Sequence, residues 1–242
     1  MGSTRITRQL GDGWAKFSRR LPHEITHRAV VTVRGKMALS GDFAGGGGSH
    51  MSTALPDWFY PGPPGGWTAD MLDHLPPDAP RHVELIDGSL IMMSPQSAFH
   101  MLMLRLFERE LTPPDDLFVV REMSVTLGVR QRPEPDILVV RRAAMANLRT
   151  TSFAPEDVHL VIEVVSPESV ERDRTTKPIK YSNAGIRYLW RVEQEGEAPV
   201  VYTFELEPSV KAYVPTGIHR ERLKTVAGFD VDIDLDLGRF IR

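Results

Sequence analysis

Leu160-Val161-Ile162-Glu163-Val164-Val165 is the stretch that decides the fold. It is apolar on both faces, as a strand in the middle of a sheet must be, and its single glutamate is out of place there. A second apolar run, Ile137-Leu138-Val139-Val140, opens on Pro135-Asp136, again with an acid at its border. Strands are therefore expected over Asp136 to Val140 and Val158 to Val165, with another over Leu117 to Leu127. Two carboxylates that converge in such a sheet are costly unless a cation neutralises them. A divalent metal ion answers that need; so does a position at a strand end in water, or an ion pair with Arg121 or Arg132. The residues alone leave these alternatives open.

Working outward, His82-Val83-Glu84-Leu85-Ile86-Asp87-Gly88-Ser89-Leu90-Ile91-Met92 alternates about a central Asp-Gly, the strongest short-range hairpin signal. Ser97 precedes an amphipathic stretch, Ala98 to Leu111, and is placed to cap it. A further helix is expected over Thr175 to Ala184, closed by Gly185, before Ile186 to Val192 returns as a strand. Val200 to Leu237 reads as strands separated by turns at Pro208, Pro215-Thr216-Gly217 and Gly228, and Thr68 to Leu75 as one short helix. A mixed β-sheet flanked by helices, with an additional C-terminal β region, is the simplest assembly: α/β or α+β.

Composition narrows the chemistry. With no cysteine, disulfides and thiolate zinc sites are excluded, and the eight histidines show no paired metal spacing, so any metal would be bound by oxygen. No apolar run reaches the length of a membrane span and the start lacks the pattern of a signal peptide, so the chain is expected in the cytoplasm, with no membrane partner.

The first fifty residues differ in kind. Gly45-Gly46-Gly47-Gly48-Ser49 has the composition of a flexible linker, and Gly48-Ser49-His50-Met51 resembles a cloning scar at a start codon. Residues 1–50 are therefore expected to be a fused basic peptide with its linker, 51–80 a Pro/Gly-rich leader, and 81–242 the main domain. The first segment carries eight Lys/Arg against three Asp/Glu, or +5, and the remainder 21 against 29, or −8. Within residues 4–44, Ala29-Val30-Val31-Thr32-Val33 is β-prone and Arg19, Arg20 and Arg28 are cationic, so this segment is expected to dock on the domain, at its acidic groove or at a sheet edge.

The ordered set Glu84-Leu85-Ile86-Asp87-Gly88, His100, Pro135-Asp136-Ile137, Glu163-Val164-Val165-Ser166-Pro167, Lys177 with Tyr181, Ala184-Gly185-Ile186 and Tyr188-Leu189-Trp190 resembles the bacterial Uma-two family, over about residues 68–238. That resemblance implies a restriction-endonuclease-like fold of the PD-(D/E)xK type. It also implies Mg²⁺ or Mn²⁺ held by Asp136, Glu163, the backbone carbonyl of Val164 and Glu84, with His100 near phosphate or a metal-bound water. In the motif as usually written a lysine lies two residues after the second acid. Here that position is Val165, which shares a strand face with Glu163 and has no charge to offer. The family places its lysine on the following helix, four residues before a tyrosine, which is Lys177; Lys180 lies close to the same helical face. Pro178 is compatible with that helix only in its first turn.

The implied activity is that of a Mg/Mn-dependent endonuclease hydrolysing phosphodiester bonds of nucleic acid, DNA by resemblance, with a homodimer needed to cut two strands. A nuclease-like module that binds or regulates without efficient cleavage, docking a partner peptide such as residues 4–44, is the alternative. The displaced lysine and the net negative domain favour the second reading, the complete acidic set the first.

Overall fold

The computed structural model describes residues 64–241. The expectations placed on residues 1–63, including the fused peptide, its linker and most of the leader, lie outside the described residues. Among the described residues no helix is long and apolar enough to cross a membrane.

The fold is α+β, built on a six-stranded mixed sheet. Its middle strand, β7 (Val158–Val164), is buried on both faces, as its apolar run predicts. On one side β7 pairs antiparallel with β5 (Ile137–Arg141), which pairs antiparallel with the edge strand β3 (Leu117–Arg121). On the other side it pairs parallel with β8 (Tyr188–Glu195), followed by the antiparallel strands β9 (Ala198–Glu207) and β10 (Ala212–His219). The parallel pair requires a crossover connection, and the short helix α2 (Lys177–Asn183) supplies it.

Alternation along β7 sorts its side chains between two cores. Leu160, Ile162 and Val164 join the apolar cluster formed with α1 (Ala98–Glu110) and the hairpin β11 (Arg222–Val226) and β12 (Asp230–Asp234). Val161 joins the opposite cluster, which holds Leu138, Leu189 and Tyr181 of α2. Each fully buried aliphatic side chain is worth roughly 1.5–3 kcal/mol, so two such cores can support a costly charged site between them. Glu163 follows the parity of Val161 and projects onto the face covered by α2.

The hairpin forms as its sequence demands: β1 (Val83–Ile86) and β2 (Ser89–Met92) are joined through Asp87 and Gly88, both at positive φ. Leu85 and Arg132 exchange backbone hydrogen bonds, so the free edge of β1 is covered, and all of β1 is buried, Glu84 included. Ser97 caps α1 by accepting from the His100 N–H. Gly185 closes α2 in a Schellman arrangement, with Gly185 N–H to the Ser182 carbonyl and Ile186 N–H to the Tyr181 carbonyl. Those bonds commit Ile186 to the cap, which is why β8 starts at Tyr188 instead of Ile186.

Two expected elements are corrected. Leu117 to Leu127 is not one strand: Glu122 takes φ 52, which breaks the extended run, and the chain turns into β4 (Ser124–Val125), paired with β6 (Ser152–Phe153). The expected helix from Thr175 is preceded by a five-residue π turn, Arg172–Thr176, and α2 begins only at Lys177. Pro178 then falls in the first turn of α2, the one place in a helix where its missing N–H costs nothing.

Candidate active site

Sheet register brings the acids together. Ile137 lies opposite Ile162, so extending the ladder by one residue sets Asp136 opposite Glu163. Asp136 sits just before β5, where its carboxylate bridges two elements. Its Oδ2 accepts the Val164 N–H at 2.6 Å and its Oδ1 meets His100 Nε2 at 2.8 Å. The first bond satisfies a β7 donor that a longer β5 would have taken; the second ties the start of α1 to the sheet. Neither Asp136 nor Glu163 pairs with the arginines that offered the simpler reading. Arg132 pairs with Asp73, and Arg121 with Glu108 and Glu122.

Glu163, 2% exposed, has each oxygen engaged: Tyr181 donates its hydroxyl to Oε1 at 2.6 Å, and Lys177 its ammonium to Oε2 at 3.0 Å. Lys177 comes from α2 rather than from β7, and its ammonium reaches Glu163 across the face of the sheet. Its Nζ also lies 2.6 Å from Glu84 Oε1 and 3.2 Å from Asp173 Oδ1. Lys180, one turn on, points away and pairs with Asp87 at the hairpin tip.

Asp173 was not singled out by the sequence. It lies in the charged run Glu171-Arg172-Asp173-Arg174, which reads as a solvated face, yet it is 2% exposed. Its signal was the four-residue spacing to Lys177, which makes the two neighbours on a helix. Glu84, 0% exposed, is likewise no surface residue of its hairpin; its Oε1 also accepts the Glu134 N–H at 3.2 Å, and Arg172 approaches its Oε2 at 3.8 Å.

Three carboxylates therefore surround one ammonium in a buried space, with Asp136 beside them. Burial alone would strip the proton from Lys177, but Asp173, Glu163 and Glu84 more than reverse that and hold its pKa well above the ordinary lysine value. Burial pushes Glu163 well above the ordinary carboxylate value against the pull of Lys177, and Asp173, Asp136 and Glu84 add to the rise. The two directions agree physically: the ammonium stays charged, and Glu163, buried beside other acids, resists ionisation. Tyr181 is also held well up, by burial and then by Glu163, so its hydroxyl remains a donor. His100 is raised: burial opposes its charge, and the hydrogen bond and charge of Asp136 prevail.

The donor set suits a hard divalent cation, since it consists of carboxylates gathered about a single ammonium. Glu84 Oε2 and Asp173 Oδ1 are engaged only by ion pairing, with Arg172 and Lys177, and accept no well-formed hydrogen bond; the buried His100 Nδ1 also has no hydrogen-bond partner. Among the described residues, however, no three acidic or histidine side chains are already arranged to hold a metal ion. The Lys177 ammonium occupies the space between them. The residues fit the ion in chemistry and charge, in a lysine-clamped arrangement.

The mixed sheet thus sets Asp136 and Glu163 side by side, with the Lys177 ammonium over Glu163. The model of the Uma2 family, described as "Putative restriction endonuclease", matches residues 69–237, and the chain belongs to that family. Among solved structures, a protein described as a putative nuclease of the DUF820 family from Anabaena variabilis ATCC 29413 is similar to it. The match covers 72% of this chain and 99% of that one at a TM-score of 0.54 and 16% identity, a likeness of fold. No curated protein matches the chain.

Proposed function

We propose that the chain is a divalent-metal-dependent endonuclease that hydrolyses phosphodiester bonds in nucleic acid, with DNA as substrate. The observation that carries this reading is the buried group of Glu84, Glu163 and Asp173 about Lys177, with Asp136 opposite Glu163 in the sheet. In this reading Asp136, Glu163, Glu84 and the Val164 carbonyl hold Mg²⁺ or Mn²⁺. When bound, such an ion neutralises phosphate charge and makes its water a nucleophile near neutral pH.

The chain's own residues do the rest. Tyr181 fixes one oxygen of Glu163 and so aims the other inward. His100 and the Val164 N–H do the same for Asp136. Lys177 keeps the acids from repelling one another before the ion binds, and supplies positive charge as the phosphorane-like charge develops. Cutting both strands of a duplex would use two copies of the chain, one site for each strand.

A second reading is favoured by one observation, the absence of a pre-arranged three-donor set among the described residues: a nuclease-like module that binds nucleic acid without cutting it. Incubation of the full chain with plasmid and single-stranded DNA in Mn²⁺, Mg²⁺ or EDTA separates the two. Nicking that appears with metal and vanishes with EDTA is expected; retained binding with no nicking in either metal leaves the second reading standing.

A further inference from the structure

Behind β1 lies a half-open cavity, of about 820 Å³, that shares a wall with the acidic cluster but none of its side chains. Alternation along β1 makes the wall: Val83 lines the cavity, while Glu84 faces Lys177. Glu134 completes it, lining the cavity with its side chain and donating its backbone N–H to Glu84 on the other side.

Three arginines line this cavity, Arg81, Arg132 and Arg149. Arg132 is 5% exposed; it ion-pairs with Asp73 and donates to the Ala69 carbonyl and to Thr151 Oγ1, yet its buried Nε–H has no acceptor. Arg81 and Arg149 are exposed and, among the described residues, no carboxylate pairs with either guanidinium. Between them the lining is mixed. Leu72, Leu75, Val83 and Met123 offer an apolar surface for a ring, and Ser124 and Thr150 offer hydroxyls. Glu134, held by His82 Nδ1 at 2.5 Å, and Glu122 offer carboxylates, which leaves the arginine rim as the place for an anion.

We propose that this cavity binds a nucleoside monophosphate unit, its phosphate on Arg81 and Arg149 at the rim and its base and sugar in the mixed interior. The volume is in the range of pockets for molecules of that size. Guanidinium groups suit phosphate better than lysine does, because their planar forks bond two oxygens together. Naming a nucleotide, as opposed to another phosphorylated ring compound, rests on the nuclease reading. The unit comes either from the substrate strand, as its phosphorylated end or an unpaired nucleotide, or from a free mononucleotide.

The test is calorimetry on the full chain in EDTA, where no metal-dependent turnover occurs, with a nucleoside 5′-monophosphate, the matching nucleoside, inorganic phosphate and a short 5′-phosphorylated oligonucleotide. Saturable binding of the monophosphate, weakened about tenfold or more in Arg81→Ala and in Arg149→Ala, is expected. Both side chains are exposed, so neither variant threatens the fold. A tighter oligonucleotide would assign the site to substrate, a tighter mononucleotide to a free ligand. The proposal is overturned if inorganic phosphate binds as well as the nucleotide, if neither substitution weakens binding, or if nothing binds. Because the readout needs neither metal nor cleavage, its failure is distinct from failure of the nuclease reading.

Discussion

At the scale of residues, one ammonium decides the state of the site. Lys177 is buried against Glu84, Glu163 and Asp173, so replacing it with methionine leaves three crowded carboxylates with only the more distant Arg172 to offset them. Breaking such a buried group costs about 3–5 kcal/mol. Lys177→Met is therefore expected to lower the unfolding free energy by that amount at neutral pH, with much of the loss recovered in Mn²⁺ or on acidification, and to abolish nicking. Lys180→Ala, which removes the same charge from a surface pair with Asp87, should change stability by less than about 1 kcal/mol. Denaturant titrations of both variants, with and without Mn²⁺, check this; equal losses would mean that Lys177 is not the clamp. His100 gives the pH dependence. Its pKa in the folded chain lies above the ordinary 6.5, so its contribution is complete below 6.5 and is lost as pH rises through the folded value. Metal-free protein should become less stable as pH climbs from 6.5, and His100→Asn should flatten that slope; an unchanged slope in the variant would remove His100 from the account. His82, raised first by its hydrogen bond to Glu134, adds to the same slope and remains in the variant.

At the scale of elements, the acids were legible and their partner Asp173 was not. Glu163 stood out because strand alternation and an apolar run make any charge conspicuous, and Asp136 because it borders the next such run. Lys177 emerged from a family resemblance, since nothing in the local pattern separates it from Lys180. The π turn Arg172–Thr176 had no sequence period to betray it, because one extra residue in a helical turn leaves composition unchanged. It nevertheless shapes the site, as it carries Asp173 inward ahead of Lys177. Deleting the exposed Thr175 is expected to convert the π turn to an α turn, keep α2 anchored through Tyr181, and swing Asp173 about a quarter turn or more out of the cluster. Circular dichroism should then stay close to that of the parent chain while Mn²⁺ affinity falls several-fold; unchanged affinity would deny the turn its role. The division of Leu117 to Leu127 into two strands was equally hidden, since a glutamate at positive φ is set by tertiary contacts, here Glu122 N–H on the Asp136 carbonyl.

At the scale of the whole chain, charge and site pull in opposite directions. The net charge is −3, and residues 51–242 carry 21 basic against 29 acidic residues, so the general field repels a polyanion and binding must come from local groups. Some of the excess acid is concentrated in the buried cluster, and a bound divalent cation would offset it where it costs most. The central claim is that this cluster is a divalent-metal centre, and a Mn²⁺ titration of the full chain followed by electron paramagnetic resonance tests it without recourse to any substrate. The account predicts saturable binding of Mn²⁺ by the parent chain that is lost in Glu163→Gln while the variant stays folded. Mn²⁺ binding that is the same in both proteins, or absent from the parent chain, would contradict it.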